Sequence, residues 1–289
     1  MSDFFERHQH HFSLETFIDL AIKEDIGNGD FTSLSTIPAN SHSTMQLLVK
    51  ENGILAGVEA VQKILEKIYP EADLKILIKD GQPIQKGDVV FYLSGQTQRL
   101  LSYERLLLNI MQRMSGIATH THYLQSLCKG TKAKVTDTRK TTPLFRFFEK
   151  WAVHIGGGYN HRWGLYDMIL IKDNHIDAAG GIENAVLKCR EYLKKNNLNL
   201  KIEVETRNIK EVETALALQP DRIMLDNFSV EEVAKAVQII NGQTETEASG
   251  GINEHNIRAY AETGVDFISI GALTHHIKSL DLSLKIVKG

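Results

Sequence analysis

Polar and glycine residues capable of chemistry recur where short apolar runs end, beyond about residue 130. Arginine and lysine bind anions, whereas carboxylates bind divalent cations and sugar hydroxyls. If chance alone placed these residues, some runs would end without evident chemistry. We therefore predict one shared catalytic edge. Its residues are Thr138, Arg139 and Lys140; Lys172; Glu203 and Glu205, of which at least one should reach the edge; Asp226; Ser249, Gly250 and Gly251; and Ile270, Gly271 and Ala272.

The predicted edge is cationic although the whole chain is slightly acidic. Arginine suits carboxylates and phosphates because its planar fork bonds two oxygens at once, while lysine acts as a point charge. We therefore expect a ligand with several negative charges, and Glu205 and Asp226 are the expected metal or hydroxyl ligands. The cations are Arg139, Lys140, His161, Arg162 and Lys172.

Glycine-rich turns accompany these side chains. The triplet at 156–158 precedes Asn160, His161 and Arg162 and permits close backbone approach to a ligand, or else forms an ordinary surface turn. The turns at 249–251 and 270–272 follow the last two apolar runs, where barrel proteins often hold a phosphate on backbone N–H groups. The alternative is that these glycines only permit tight turns.

Arg105 lies in a long helical pattern, four residues after Leu101 and three before Leu108. It therefore shares a face with apolar residues, where an unpaired guanidinium is seldom found. We expect an anionic partner, which is Glu104 of another chain, a core carboxylate or a ligand carboxylate.

The elements that must position these residues alternate in type. The apolar runs predict strands, and the amphipathic stretches between them predict helices at 144–155, 182–195, 209–218, 230–240 and 254–263. Six strand-then-helix units favour a parallel sheet, because each crossover carries the chain back along a helix. We predict an incomplete αβ barrel of six or seven parallel strands, with a doubly wound open sheet as the alternative. The predicted strands are 133–137, 168–172, 201–205, 222–226, 245–249 and 267–271.

The first part of the chain has a mixed pattern, which predicts a small α+β domain over 1–112, with strands near 45–50, 74–78 and 89–93 and a helix over 58–69. We assign 113–275 to the barrel, after a long helix predicted over 97–127, and expect 276–289 to rejoin the first domain.

Composition excludes several classes of protein. The chain is 42% hydrophobic and 24% charged, with 33 basic and 36 acidic residues, so we expect a globular protein that binds neither nucleic acid nor acidic lipid. No run approaches a membrane span, and the N-terminal residues, which include His8, His10 and His11, do not form a signal peptide. Cys128 and Cys189 lack metal-site spacing and fit a reducing, cytoplasmic compartment. We interpret the histidine cluster as a solvated terminus.

Several motifs in order resemble the quinolinate phosphoribosyltransferase family, and the likeness covers essentially the whole chain. The N-terminal part contributes Glu24-Asp25, Gly29-Asp30 and Thr32. The main motifs are DTRKTTP at 137–143, GGGYNHR at 156–162, GLYD at 164–167, IKDNH at 171–175, EVE at 203–205, LDN at 225–227, ASGGI at 248–252 and SIGAL at 269–273.

The resemblance implies transfer of phosphoribosyl from 5-phosphoribosyl-1-diphosphate to quinolinate (pyridine-2,3-dicarboxylate), with Mg²⁺, loss of CO₂ and formation of nicotinate mononucleotide. It also implies an N-terminal α/β sandwich beside the incomplete barrel. Arg139, His161, Arg162 and Lys172 would surround the dicarboxylate, with Arg105 supplied by the other subunit of a homodimer. The sugar phosphate, diphosphate and metal would be held by Lys140, Glu205, Asp226 and the turns at Ser249, Gly250 and Gly251 and at Ile270, Gly271 and Ala272. Thr138 would be a further substrate-binding residue. Within this set, Lys140, Lys172, Glu205 and Asp226 would be catalytic.

Leu144 departs from the family pattern, which usually has glycine there. Three other functions remain open: a related protein encoded with molybdate-transport genes, a Schiff-base lyase that uses Lys172, and a phosphosugar-binding protein without activity. The presence of Arg105, Arg139, Arg162 and Lys172 together favours quinolinate as the substrate.

Overall fold

The computed structural model describes residues 4–287 and divides them between two compact units. The outermost residues of the two predicted terminal ranges, 1–3 and 288–289, lie outside the described part. One unit contains the chain up to His122, Thr141–Gly157 and the chain from Thr274, and the other contains Tyr123–Lys140 and Gly158–Leu273.

The first part of the chain forms short helices and an antiparallel sheet. A 3₁₀ turn follows α1 at Gln9–His11. The helices are α1 (Phe4–His8), α2 (Leu14–Asp25), α3 (Phe31–Thr36), α4 (Val58–Ile68) and α5 (Thr97–Leu127). The strands are β1 (His42–Val49), β2 (Gly53–Ile54), β3 (Asp73–Ile76), β4 (Pro83–Ile84) and β5 (Val89–Gln96).

The remaining elements alternate strand with helix and end in a last strand, β12 (Leu282–Ile286). The strands before it are β6 (Lys134–Thr136), β7 (Ile169–Ile171), β8 (Ile202–Thr206), β9 (Arg222–Asp226), β10 (Glu245–Ser249) and β11 (Phe267–Ser269). The helices are α6 (Arg146–Ile155), α7 (Asp173–Ala179), α8 (Ile182–Lys195), α9 (Ile209–Ala217), α10 (Val230–Ile240), α11 (Ile257–Glu262) and α12 (Ala272–His275).

The sheet of the first unit has the order β12-β1-β5-β3, and its neighbouring strands are antiparallel. Met45, Leu47 and Val49 of β1 are buried, while the residues between them are partly exposed. This alternation is the pattern of a strand with one face on the core. The C-terminal strand β12 thus belongs to the sheet of the first unit.

The second unit contains a six-stranded, wholly parallel sheet with the order β6-β11-β10-β9-β8-β7. Strands that follow one another in the chain are neighbours from β7 to β11, and β6, the first strand, pairs with the last. A doubly wound sheet instead reverses its strand order at a switch point. The observed order is that of a barrel open between β6 and β7, so the predicted fold class is confirmed.

Strand β8 shows why this sheet forms. All five of its residues are buried, as expected for a parallel strand covered on both faces.

Helix α10 begins at a capping box, in which the Ser229 hydroxyl accepts from the Glu232 N–H and the Glu232 carboxylate accepts from the Ser229 N–H.

The long helix α5 continues across the boundary predicted at residue 112, and the compact units separate after His122. Thr141–Gly157, predicted within the barrel domain, clusters with the first unit. Glu149 of this segment is fully buried and accepts hydrogen bonds from Arg113 Nη2 at 2.6 Å and the Thr142 N–H at 3.0 Å. Because a buried carboxylate is costly without partners, these bonds tie the segment to α5.

The histidine cluster was predicted to be solvated: His10 is exposed, whereas His8 and His11 are partly buried, next to a buried segment at Phe4 and Phe5. Phe4 and Phe5 are buried, and Phe4 stacks on Trp151 with ring centroids 5.8 Å apart. Burial, followed by the charges of nearby cationic groups, lowers the pKa of His8 to about 4.

Candidate active site

The six parallel strands deliver the predicted site residues to one edge of the second unit's sheet, because the carboxyl ends of parallel strands lie on the same side. We call this the carboxyl edge. Five of the six predicted clusters follow or end a strand there, among them Lys172 directly after β7 and Asp226 at the end of β9, and the sixth, Glu203 with Glu205, lies within β8.

The cationic side of the edge contains two guanidinium groups. Arg139 Nε is buried and makes no hydrogen bond within residues 4–287. Arg162 Nη1 donates to the Met168 carbonyl at 3.1 Å, and burial, together with the charge of Arg139, lowers the pKa of Arg162. Two cations held close together in this way favour an anionic ligand, which would satisfy both.

Lys172 lies beside a carboxylate at the next strand end. Its Nζ is 4.0 Å from Glu205 Oε2, and the Asp173 N–H donates to Glu205 Oε1 at 3.4 Å. His175 Nδ1 accepts from the Lys172 N–H at 2.9 Å, so His175 caps the start of α7. The Lys172 side chain is half exposed and can therefore reach a ligand.

Glu205 and Asp226 form an acidic pair on adjacent strands. Burial, and to a lesser extent the charge of Asp226, raises the pKa of Glu205. Burial likewise raises the pKa of Asp226, although a hydrogen bond from Asn227 and the charges of Lys172 and Lys140 oppose this shift. Two carboxylates on neighbouring strands are an oxygen-only donor set, which suits Mg²⁺.

The turn after β10 has a backbone that requires glycine. Gly250 has φ +97°, and a Cβ there would lie 2.2 Å from Asn227 Oδ1 and 2.9 Å from the Asn227 backbone nitrogen. Gly251 has φ +65°, and a Cβ there would meet nothing within 4 Å. Gly250 is thus needed for packing, whereas Gly251 faces open space in which a ligand can approach the backbone.

The turn after β11 is also close to a strand end. Ile270 is buried, and its N–H donates to the Thr136 carbonyl at 3.0 Å, while Ala272 begins the four-residue helix α12 directly after Gly271. Thr138 and Lys140 follow β6, the strand that pairs with β11, and the Thr138 hydroxyl accepts from the Lys140 N–H at 3.0 Å.

His161 lies next to Arg162 in the chain, but its ring is buried inside the unit. Its Nε2 is 3.0 Å from Glu203 Oε2 and 3.5 Å from Glu247 Oε2. Arg222 Nη1 donates to Glu247 Oε2 at 2.8 Å. Of the two β8 carboxylates, then, Glu205 is at the carboxyl edge, while Glu203 belongs to this interior cluster.

Opposing effects set the charge of the cluster. Burial would lower the pKa of His161, whereas the adjacent carboxylates of Glu203 and Glu247 act to raise it. Burial would raise the pKa of Glu247, but His161 and Arg222 lower it, whereas burial beside Glu247 raises the pKa of Glu203. The Arg162 N–H donates to His161 Nδ1 at 2.8 Å, and this hydrogen bond requires an unprotonated Nδ1, so the geometry places the one ring proton on Nε2, which faces Glu203 and Glu247.

Sequence reasoning missed Glu247 and Arg222. The alternation of Glu245 and Glu247 along β10 repeats that of Glu203 and Glu205 along β8, and this signal could have identified an acidic interior face. Arg222 begins β9 opposite Glu203, a pairing that only the register reveals.

Arg105 does not lie in an apolar environment, so the sequence argument about its face was wrong. Its side chain is 66% exposed, and Nη2 is 3.3 Å from Glu104 Oε1 of the same chain. An exposed ion pair of this kind contributes little to stability. Arg105 is therefore available for contact with another molecule.

The chain matches two models of one enzyme family. Residues 30–115 match the quinolinate phosphoribosyl transferase N-terminal domain, and residues 117–285 match its C-terminal domain. The chain therefore belongs to the quinolinate phosphoribosyltransferase family.

Individual relatives agree with this assignment. The chain is 45% identical to the chloroplastic nicotinate-nucleotide pyrophosphorylase [carboxylating] of Arabidopsis thaliana, over 95% of this chain and 83% of that protein. It is 40% identical to the probable enzyme of that name from Bacillus subtilis, over 96% of this chain and 94% of the relative. The nicotinate-nucleotide pyrophosphorylase structure from Francisella tularensis superposes with a TM-score of 0.88 at 40% identity, covering 95% of this chain and 96% of that one.

Proposed function

We propose that this protein transfers the phosphoribosyl group of 5-phosphoribosyl-1-diphosphate to quinolinate, with release of diphosphate and CO₂, to form nicotinate mononucleotide for NAD biosynthesis. The observation that carries the proposal is the pairing of a cationic side, Arg139, Arg162 and Lys172, with an acidic side, Glu205 and Asp226, at one carboxyl edge. A dianionic pyridine fits the first side, and a sugar diphosphate with its metal fits the second.

The cationic residues act by binding and orientation. Arg139, Arg162 and Lys172 neutralise the two carboxylates and direct the ring nitrogen toward the anomeric carbon of the sugar. The new N–C bond forms as the C–O bond to diphosphate breaks, so positive charge develops on the sugar and negative charge on the leaving group.

Decarboxylation follows from the charge on the ring. Once the nitrogen is quaternary, the C2–carboxylate bond breaks and CO₂ leaves. The electron pair of that bond stays on C2, where the adjacent positive nitrogen stabilises it, and C2 then takes up a proton from solvent. Lys172, half exposed beside Glu205, balances the charge of the departing carboxylate without forming a bond to it.

Phosphate groups are expected on the acidic side and on the turns. Lys140, with the backbone at 249–251 and 270–272, would hold the sugar phosphate and diphosphate. Glu205 and Asp226 would hold Mg²⁺, which when bound supplies positive charge to the departing diphosphate.

The Glu205→Gln variant tests this role. We expect it to raise the concentrations of Mg²⁺ and of phosphoribosyl diphosphate that give half the maximal rate, and to raise that of quinolinate less. Unchanged half-maximal concentrations of Mg²⁺ and phosphoribosyl diphosphate would remove Glu205 from this role.

We further propose a homodimer in which the exposed Arg105 enters the site of the other subunit, and a cytoplasmic location. Both Cys128 and Cys189 are free, which is usual for a reducing compartment. Within residues 4–287, none of the helices combines the length and apolar character that a membrane crossing requires.

Release of labelled CO₂ from carboxyl-labelled quinolinate tests the reaction. We expect release only when phosphoribosyl diphosphate is present, and loss of release in Lys172→Ala. Lys201→Ala is the matched control, because Lys201 is exposed and precedes β8 at the opposite end of the sheet. A covalent adduct trapped by borohydride on Lys172 would instead support a Schiff-base lyase, and CO₂ release without the sugar diphosphate would contradict the proposal.

A further inference from the structure

His161 is the predicted substrate residue whose geometry does not suit contact with a ligand. Its side chain is only 5% exposed, and both ring nitrogens face protein atoms. Nε2 faces Glu203 and Glu247, and Nδ1 accepts from the N–H of Arg162 at 2.8 Å. The ring thus connects the interior of the second unit to the backbone of an anion-binding arginine.

The inner end of this connection is anchored on three strands. Glu203 is on β8 and Glu247 is on β10, and both are fully buried. Arg222, at the start of β9, donates from Nη1 to Glu247 at 2.8 Å and from Nη2 to Glu245 at 3.1 Å. Because buried charges hold their partners tightly, the Nε2 end of His161 has a rigid support.

The backbone of His161 is fixed from a fourth strand. Asp137, fully buried directly after β6, accepts from the His161 N–H at 2.9 Å through Oδ1 and from Asn160 Nδ2 at 2.7 Å through Oδ2. The segment that ends at Arg162 is therefore held at its backbone by Asp137 and at its side chain by the interior carboxylates.

Arg162 depends on this support for its direction. Its guanidinium donates to the Met168 carbonyl at 3.1 Å and lies near the like charge of Arg139, which repels it. A small rotation of its backbone would move the guanidinium away from a bound carboxylate, and misplacement by about 1 Å can cost about 100-fold in rate.

We propose that His161 is a positioning residue, which fixes the Arg162 backbone through Nδ1 and is itself held by Glu203 and Glu247 through Nε2, and that it does not contact the substrate. The inference rests on the proposed function, because Arg162 is there a ligand of quinolinate. A metal ion is the competing occupant, since the three ligand atoms of His161, Glu203 and Glu247 lie within 4.8 Å of one another. Arg222 already supplies positive charge to Glu247, which makes a cation unnecessary.

Two substitutions separate the two ring nitrogens. In His161→Asn, the side-chain oxygen takes the place of Nδ1 and can accept from the Arg162 N–H, but Glu203 and Glu247 lose their donor. In His161→Gln, the longer amide can donate to those carboxylates, but the acceptor at Nδ1 is lost. The measurements are the melting temperature and the quinolinate dissociation constant from calorimetry.

The melting temperature and the affinity for quinolinate should rank the two variants in opposite orders. We expect His161→Asn to melt at the lower temperature yet to bind quinolinate within about threefold of wild type. We expect His161→Gln to melt higher yet to bind about tenfold or more weakly, because without the bond from its backbone N–H to Nδ1 the Arg162 guanidinium would lose its charged hydrogen bond to the ligand. A purely structural role would make affinity follow stability, and direct contact through Nε2 would make Gln the better binder. Either of those results overturns the proposal.

A third measurement is independent of activity. In ¹⁵N-histidine spectra, with His161→Asn identifying the resonances, we expect His161 Nδ1 to be unprotonated and Nε2 to be protonated. A protonated Nδ1, or a stoichiometric metal found by elemental analysis of the purified protein, overturns the proposal even if the enzyme is active. Absence of CO₂ release by the wild-type protein would overturn the proposed function while leaving this tautomer result intact.

Discussion

The turn after β10 allows the effect of an added methyl group on folding to be separated from its effect on binding. Gly250 and Gly251 are adjacent and both have positive φ, but only at Gly250 would a Cβ overlap other atoms, those of Asn227 at 2.2 and 2.9 Å. We therefore expect Gly250→Ala to destabilise the protein and Gly251→Ala to impair phosphate binding.

The magnitudes follow from these two contributions. An alanine in the left-handed region costs about 1 kcal/mol of folding free energy at either position. Overlap with backbone and side-chain atoms of Asn227 adds about 1–3 kcal/mol at Gly250 alone. The free energies of unfolding should therefore differ by about 1–3 kcal/mol between the two variants, which corresponds to a difference in melting temperature of about 2–10 °C.

Melting temperatures and steady-state constants provide the assay. Gly251→Ala should raise the KM for phosphoribosyl diphosphate severalfold and leave the KM for quinolinate unchanged, because its methyl group occupies the space next to the backbone where a phosphate would lie. Equal melting temperatures for the two variants would refute the overlap argument. An unchanged KM for phosphoribosyl diphosphate in Gly251→Ala would refute the assignment of this turn to phosphate.

Leu144 has φ +62° and is 76% exposed, so its side chain contributes little to stability. Leu144→Gly should therefore raise the free energy of unfolding, measured by denaturant titration, by between zero and about 1 kcal/mol, whereas the control Leu165→Gly, at a residue that is 72% exposed, should lower it by about 0.5–1 kcal/mol. A lower free energy of unfolding in Leu144→Gly would indicate that the Leu144 side chain packs against the protein. Arg105→Ala and Lys172→Ala chains, each inactive alone, should recover part of the CO₂ release when mixed, because one intact site forms in the mixed dimer. No recovery after verified mixing would exclude a shared site. Because the pKa of His8 falls from 6.5 to about 4 on folding, its unprotonated form contributes stability that is lost as the pH drops from 6.5 toward 4. His8→Phe should therefore reduce the decrease in melting temperature between pH 7 and pH 4.5, and an unchanged decrease would show that His8 is solvated in the folded protein.

Periodicity predicted the fold because burial in a parallel sheet imposes it. Each of the six apolar runs is a strand, and helices α8 and α10 have the predicted bounds. The first turn of α6 was overestimated, since Leu144 with positive φ precedes the helix and Arg146 begins it. The pairing of β6 with β11 could not be predicted, because it joins segments distant in the chain, and periodicity carries no information about such pairing.

The carboxyl edge was predictable for a related reason: in a parallel sheet, position at a strand end determines position in space. Lys172, Glu205 and Asp226 needed no knowledge of tertiary contacts beyond that rule. Arg105 was misjudged because a helix face that includes leucines on either side can still project a long side chain into solvent.

Depth within the barrel is what the sequence did not reveal. Glu203 and Glu205 point to the same face of β8, but two residues along a strand are separated by about 6.6 Å, and this distance separates the interior cluster of Glu203 from Glu205, the proposed metal ligand at the carboxyl edge. The cations on the neighbouring strands distinguish the two carboxylates. Arg222 is level with the deeper Glu203, and Lys172 is near Glu205 at the carboxyl edge. His161 joins the deeper layer, so in the proposed function the motif at 161–162 would serve both layers: Arg162 would bind the ligand and His161 would support Arg162.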